Sequence, residues 1–192
     1  MDIQTNYRPT KAVINLQAIA HNISSLRKHL QPDVQVIAVV KANAYGHGDI
    51  EVAKAAIQAG ATMLAVATPD EAVHMRTNFP SIDILTLGAT PLNFIPYASK
   101  ENITLTVFSA DWINGSKEYS PLTQSVKVHI KIDSGMGRIG VTTKEELQSL
   151  YEAITATPQF ILDGIFTHFA TADEEDTLYF DNQVSLFKEL LN

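Results

Sequence analysis

Cysteine is absent from the 192 residues, which excludes disulfides, thiolate metal sites and a cysteine nucleophile. An excess of positive charge is absent too. Against 21 Asp and Glu stand 14 Lys and Arg, a formal net charge of -7, and no basic stripe is visible. That balance argues against a nucleic-acid surface. No apolar stretch is long enough to span a bilayer, and the opening Met1-Asp2-Ile3-Gln4-Thr5-Asn6 lacks the apolar core of a signal peptide. A soluble, cytoplasmic protein is the expectation. Tryptophan occurs once, as Trp112, in a helical segment where packing is its expected role. Charged residues make only 18% of the chain and hydrophobic ones 45%, which reads as globular rather than disordered. The length fits one domain with a real core.

What is present alternates. Short apolar runs at 36–40, 63–67, 84–87, 104–108, 126–132 and 162–167 read as buried strands. Helical periodicity separates them, at 16–30, 50–59, 69–77, 92–99, 110–118, 143–156 and 177–191. The first helix carries Leu16, Ile19, Ile23, Leu26 and Leu30 on one face, with Asn15 as its N-cap. Thr68-Pro69-Asp70-Glu71 reads as a capping box with proline at the first helical position. Thr143 with Glu146 offers another, and Gly60 suits a helix C-terminus. The last helix places Phe180, Val184, Phe187 and Leu191 together and ends without a clear cap.

Six strands, each followed by a helix, imply a parallel sheet with right-handed crossovers. Periodicity alone does not separate a barrel from a doubly wound sheet. Polar residues do: Lys41, Lys131 and His168 fall at the C-terminal ends of the first, fifth and sixth strands, and a barrel converges those ends. The expected fold is therefore α/β, a (β/α)8 TIM-type barrel that is incomplete, with about six of its eight units. The chain reads as part of a longer protein. Strands one and six would be exposed edges, which predicts a dimer or larger assembly.

Three segments carry chemistry. Val40-Lys41-Ala42-Asn43-Ala44-Tyr45-Gly46 ends the first strand. A lysine there keeps its stem in a core and its amine at the rim, which suits a desolvated Schiff-base nucleophile. The bland alternative is a surface lysine closing a strand. Gly46 and Gly48 would let the backbone approach a ligand. In Lys131-Ile132-Asp133-Ser134-Gly135-Met136-Gly137-Arg138-Ile139-Gly140, the glycines match a dinucleotide fingerprint. That fingerprint needs glycines opening a helix directly, whereas here the helix is expected only at the later threonine cap. A glycine loop presenting Arg138 to a phenolate or carboxylate fits better. The third segment, Gly164-Ile165-Phe166-Thr167-His168-Phe169, ends the sixth strand with a histidine. Asp173, Glu174, Glu175 and Asp176 read as a solvated helix start, and His21, His29 and His74 lie in helices without metal spacing.

Taken in order, the three segments resemble alanine racemases, from about Tyr7 onward and over roughly the N-terminal half of a family member. The resemblance implies a pyridoxal 5'-phosphate (PLP)-binding barrel domain over residues 1–192, without the family's C-terminal β-domain. Lys41 would hold PLP and act as the base on one face. Tyr45 would bond the phosphate, Arg138 the phenolic oxygen, and His168 would lie near the cofactor ring. Lys131, carbamylated, would orient Arg138, with Met136 on the same orienting loop, and Leu87 would pack beside the site. The implied reaction interconverts L- and D-alanine, which supplies bacterial cell-wall precursor. In the family the opposite-face base is a tyrosine from the partner's C-terminal domain, and none of Tyr7, Tyr45, Tyr97, Tyr119, Tyr151 or Tyr179 lies in that domain. A homodimer is implied, with these residues alone weakly active or inactive. Two alternatives stand beside this: a non-catalytic PLP-binding barrel and a nucleotide-binding α/β module. Serine or another amino acid as substrate also stays open.

Overall fold

The computed structural model describes residues 9–192; the opening hexapeptide and Tyr7 lie outside the described residues. Its strands are β1 (Ile37–Val39), β2 (Met63–Val66), β3 (Asp83–Thr86), β4 (Ile103–Val107), β5 (Val126–Lys131) and β6 (Phe160–Phe166). All pair in parallel, in the spatial order β1-β2-β3-β4-β5-β6. A doubly wound sheet reverses its strand order at a switch point. This sheet never reverses, as in a barrel, and β1 and β6 each pair on one side only among the described residues. The expected incomplete barrel is what forms.

The helices are α1 (Leu16–His29), α2 (Lys41–Gly46), α3 (Asp49–Gln58), α4 (Pro69–Asn78), α5 (Ile95–Lys100), α6 (Ala110–Gly115), α7 (Lys144–Thr155) and α8 (Leu178–Leu191). Strand alternation divides the sheet into two faces. On β5, Val126, Val128 and Ile130 are buried in the main core with Met75, Ile95, Ile113 and Leu150 of the helices. Lys127, His129 and Lys131 alternate with them toward the barrel interior. The β5–β6 register shifts at Val128/His129 and skips Asp163, so Gly164 faces His129. A Cβ at Gly164 would lie 2.9 Å from the imidazole, so only glycine leaves room for this ring.

Asn15 caps α1 by accepting from the Ala18 N–H, and the Thr68–Glu71 capping box forms. At α7, Thr143 accepts from the Glu146 N–H, and the Glu146 carboxylate accepts from the N–H and hydroxyl of Thr142.

Other expectations need correction. β1 is not fully buried: Ile37 and Val39 are 41% and 40% exposed, because they face the barrel interior at a sheet edge. No residue of α1 is buried, and Leu26 is exposed, because the helix packs on α3 outside the main core. In α8 the buried residues are Gln183 and Leu190, flanked by Leu186 and Phe187, while Leu191 is exposed. The acidic run 173–176 forms the turn ahead of α8, where the Asp176 carboxylate accepts from the Leu178 N–H.

Candidate cofactor and active site

The Lys41 segment leaves β1 in a rare conformation. Ala42, Asn43, Ala44 and Tyr45 have φ of 51°, 54°, 50° and 55°, a full left-handed turn. L-residues enter this region at a steric cost, because Cβ crowds the following carbonyl. Local bonds hold it. The Ala44 N–H donates to Val40 O at 3.0 Å, and Asn43 Oδ1 accepts from the Asp49 N–H at 2.9 Å. Gly46 (φ 85°) and Gly48 (φ 90°) end the turn in backbone that favours glycine. Lys41 and Tyr45 emerge on the same side, with Lys41 Nζ 5.8 Å from the tyrosine ring centre.

Lys131 ends β5 and is buried, 3% exposed. Its Nζ donates to Ile132 O at 2.8 Å and sits 5.2 Å over the Phe166 ring. Burial pushes this amine down to about 8; Arg138 acts in the same direction and Asp133 opposes it. The loop that follows is wound around Asp133. Its carboxylate accepts from the N–H groups of Gly135 (3.0 Å), Gly137 (2.9 Å) and Arg138 (2.7 Å). Burial alone would raise the Asp133 carboxyl, but these three donors and Lys131 together hold it below its usual range. Gly140 (φ 135°) passes so close that a Cβ would lie 2.3 Å from Asp133 N. Helix α7 begins only at Lys144, so the glycines open no helix and the dinucleotide reading has no structural counterpart here.

His168 follows β6. Burial lowers its pKa, and Arg138, Lys131 and Lys41 lower it further, so the ring stays neutral at physiological pH. Thr167 donates its hydroxyl proton to Ile132 O at 2.9 Å, and its Oγ1 lies 2.7 Å from Ser134 Oγ. Gln183, fully enclosed in α8, joins the loops. It accepts from the Ala170 N–H at 2.8 Å and donates to His168 O at 3.2 Å. The Tyr179 hydroxyl donates to Gly135 O at 2.5 Å.

These elements enclose a cavity of about 270 Å³. Val39, Ala65, Leu85 and Leu87 make an apolar wall; Lys41, Tyr45, Lys131, Arg138 and His168 line the polar side, and among the described residues no Asp or Glu lines it. Met136 is half-buried in the loop and does not line the cavity. An apolar wall with three cations and no carboxylate suits a flat ring bearing anionic substituents. PLP has that chemistry, and the residues fit it: an amine for its aldehyde, a guanidinium for its phenolate, a hydroxyl for its phosphate.

Sequence reasoning missed three residues. His129 also lines the cavity, with Nε2 3.3 Å from Asp163 Oδ2; its spacing of two from Lys131 on one strand was the available signal. Asp133 sits in an Asp-Ser-Gly run typical of side-chain-to-backbone turns. Gln183 left no signal, since its partners lie on other elements.

A family model described as alanine racemase, N-terminal domain, matches residues 14–192. The alanine racemase of Anoxybacillus flavithermus is 53% identical over 187 residues, 96% of this chain and 49% of the relative. The solved alanine racemase of E. faecalis superposes with a TM-score of 0.91 at 39% identity, over 96% of this chain and 50% of that one. The histidine racemase of Leuconostoc mesenteroides superposes with a TM-score of 0.85 at 32% identity, over 91% of this chain and 47% of that one. The chain thus spans about half the length of the curated relatives it matches. With the match running from residue 14 to 192, this chain belongs to the alanine racemase family, whose members are PLP-dependent enzymes.

Proposed function

We propose that this chain is the PLP-holding barrel portion of an alanine racemase, an isomerase that interconverts L- and D-alanine. The carrying observation is the convergence of Lys41, Tyr45, Arg138 and His168 on one cavity without carboxylates. Bound there, PLP would serve as an electron sink for the charge that develops when the substrate α-proton leaves. Lys41 Nζ would be the amine that holds the cofactor and, when free of it, the base that takes or returns the α-proton on its own face. Arg138 would donate to the phenolic oxygen and Tyr45 to the phosphate, and Leu87 would pack beside the ring. Neutral His168 lies near the ring without adding a fourth positive charge. Lys131 as a cation would repel Arg138. Its lowered pKa enlarges the neutral fraction of the amine, the form that takes up CO₂ with loss of a proton to give a carbamate, and that anion would orient Arg138.

Inversion at Cα needs a second acid/base on the opposite face, since return from the same face restores the starting enantiomer. No such group is assigned among these residues, and the open β1 and β6 edges leave the cup incomplete. The 192 residues alone are therefore expected to turn over alanine weakly, with a homodimer of longer chains as the working enzyme. Alanine as substrate is supported by the relatives' names, and D-alanine supply to cell-wall synthesis in the cytoplasm is the corresponding role. A histidine racemase superposes on the same portion, so the shared fold does not by itself select the amino acid.

The test is to add PLP, reduce with borohydride and map the modified peptide. A reduced adduct at Lys41 supports the reading; labelling scattered over surface lysines, or none, refutes it. A coupled D-alanine assay run in parallel should give little signal, and turnover like that of a complete racemase would refute the expected weakness.

A further inference from the structure

Resting on the PLP reading above, we propose that Glu71 is a positioning residue for Lys41, acting through the backbone rather than on the amine. A capping box asks one thing of this carboxylate, the N–H of Thr68, and Glu71 Oε2 accepts it at 3.2 Å. It does two things more. The same Oε2 accepts from the Ala67 N–H at 2.6 Å, just past β2, and Oε1 accepts from the Ala42 N–H at 2.7 Å. One carboxylate therefore ties the end of β2 and the N-terminus of α4 to the first residue after Lys41.

The consequence follows from peptide geometry. The Lys41–Ala42 peptide is a rigid plane. Holding its N–H fixes the orientation of that plane, and with it the direction in which the Lys41 side chain leaves the backbone. Ala42 is also the first residue of the strained left-handed turn (φ 51°), where the chain would otherwise relax toward φ below zero. The charge is well placed to hold it. Bonds from N–H groups to an ionised carboxylate are shorter and stronger than neutral ones, and the first turn of α4 favours negative charge. Among the described residues no ion pair joins Glu71 to Lys41, so the amine stays free for the cavity.

The variants Glu71→Gln and Thr68→Ala separate positioning from helix capping. The amide of Glu71→Gln must turn its NH₂ either toward Ala42 N–H, losing one bond, or toward the Ala67 and Thr68 N–H groups, losing two, so the bond to Ala42 is the one given up. Thr68→Ala removes the reciprocal cap, the Glu71 N–H bond to Thr68 Oγ1 at 3.3 Å, and keeps the carboxylate. Each is incubated with PLP below saturation, reduced with borohydride and mapped. Loss of a charge-assisted bond predicts about tenfold less Lys41 adduct in Glu71→Gln than in the wild type, with Thr68→Ala unchanged. A purely capping role predicts equal adduct in all three, and that result overturns the proposal. If circular dichroism shows that Glu71→Gln is unfolded, Glu71→Asp decides. It keeps the charge but is one methylene short of Ala42; a native spectrum with wild-type adduct overturns the role, and a native spectrum with reduced adduct supports it. Absence of a Lys41 adduct in the wild type overturns the PLP reading and this role with it, whereas equal adducts in wild type and Glu71→Gln overturn the role alone.

Discussion

Replacing Ala42 by glycine should stabilise this protein, the reverse of what the same change does in an ordinary helix. Ala42 has φ 51° and an exposed side chain, so its methyl contributes strain and almost no packing. Left-handed backbone costs an L-residue about 1–2 kcal/mol. Glycine removes that cost but loses more chain entropy on folding, about 0.5–1 kcal/mol relative to alanine. The difference is a net gain of about 0.5–1 kcal/mol, or about 1–4 °C in Tm for a chain of this size. Ala20→Gly, in the middle of right-handed α1, is the control and should lose about 1 kcal/mol. Ala44→Gly should change little: Ala44 is 3% exposed, and loss of its buried methyl offsets the relief of strain. Urea midpoints at equal slope read all three. If Ala42→Gly is destabilised as much as Ala20→Gly, the chain after Lys41 is not left-handed, and the placement of Lys41 derived from it fails. The stakes are large for a chain this small. Four such residues cost about 4–8 kcal/mol in sum against a typical net stability of about 5–15 kcal/mol. Strain on that scale persists where surrounding bonds over-determine it, and it tends to gather at functional sites.

Lys131 should make stability rise with pH. Its folded pKa of about 8 lies below the ordinary 10.5, so below that window both states carry the proton and the buried charge is penalised. As pH rises from about 8 to 10.5 the folded state sheds its proton first, and folding gains stability. The gain is about 3 kcal/mol at 1.36 kcal/mol per unit. Lys131→Met lacks it, so in bicarbonate-free buffer the wild-type-minus-variant stability should grow by about 2.5 kcal/mol between about pH 7 and pH 10; parallel profiles refute the buried cation. The edges of β1 and β6, unpaired among the described residues, predict a dimer or larger assembly by light scattering, and a clean monomer at micromolar concentration counts against edge pairing.

The fold was largely legible because each signal was local. Apolar runs at strand length, a proline and threonine ahead of α4, and Asn15 ahead of α1 act within a few residues of themselves. The barrel, as against a doubly wound sheet, was legible from polar residues at three strand ends, and the sequential strand order agrees. Burial was read less well. A run such as 36–40 has the composition of a buried strand wherever it lies, but its exposure depends on what stands on either side, and β1 is an edge. The face of α8 was read only in part: Phe180, Val184 and Phe187 are half-buried as the apolar stripe implies, but Leu191 is exposed, and buried Gln183 is held by polar partners that no hydrophobic pattern records.

The candidate site divides in the same way. By itself the sequence determined which groups exist at the strand ends: Lys41, Lys131, Arg138 and His168, their chemistry, and their place in three ordered segments. Only the tertiary structure decided what those groups experience. The Ala42 N–H that opens the left-handed turn finds its acceptor in Glu71, 29 residues away and on another helix. Arg76, an unremarkable helical arginine in the sequence, closes the α4 end by donating to five backbone carbonyls from Phe79 to Asn102. The lowered pKa of Lys131 exists only once β5 and β6 bury its amine over Phe166. Identity and spacing are properties of neighbouring residues along the chain. Burial, strain and electric field are sums over neighbours in space, and those neighbours are set only when the strands and loops pack together.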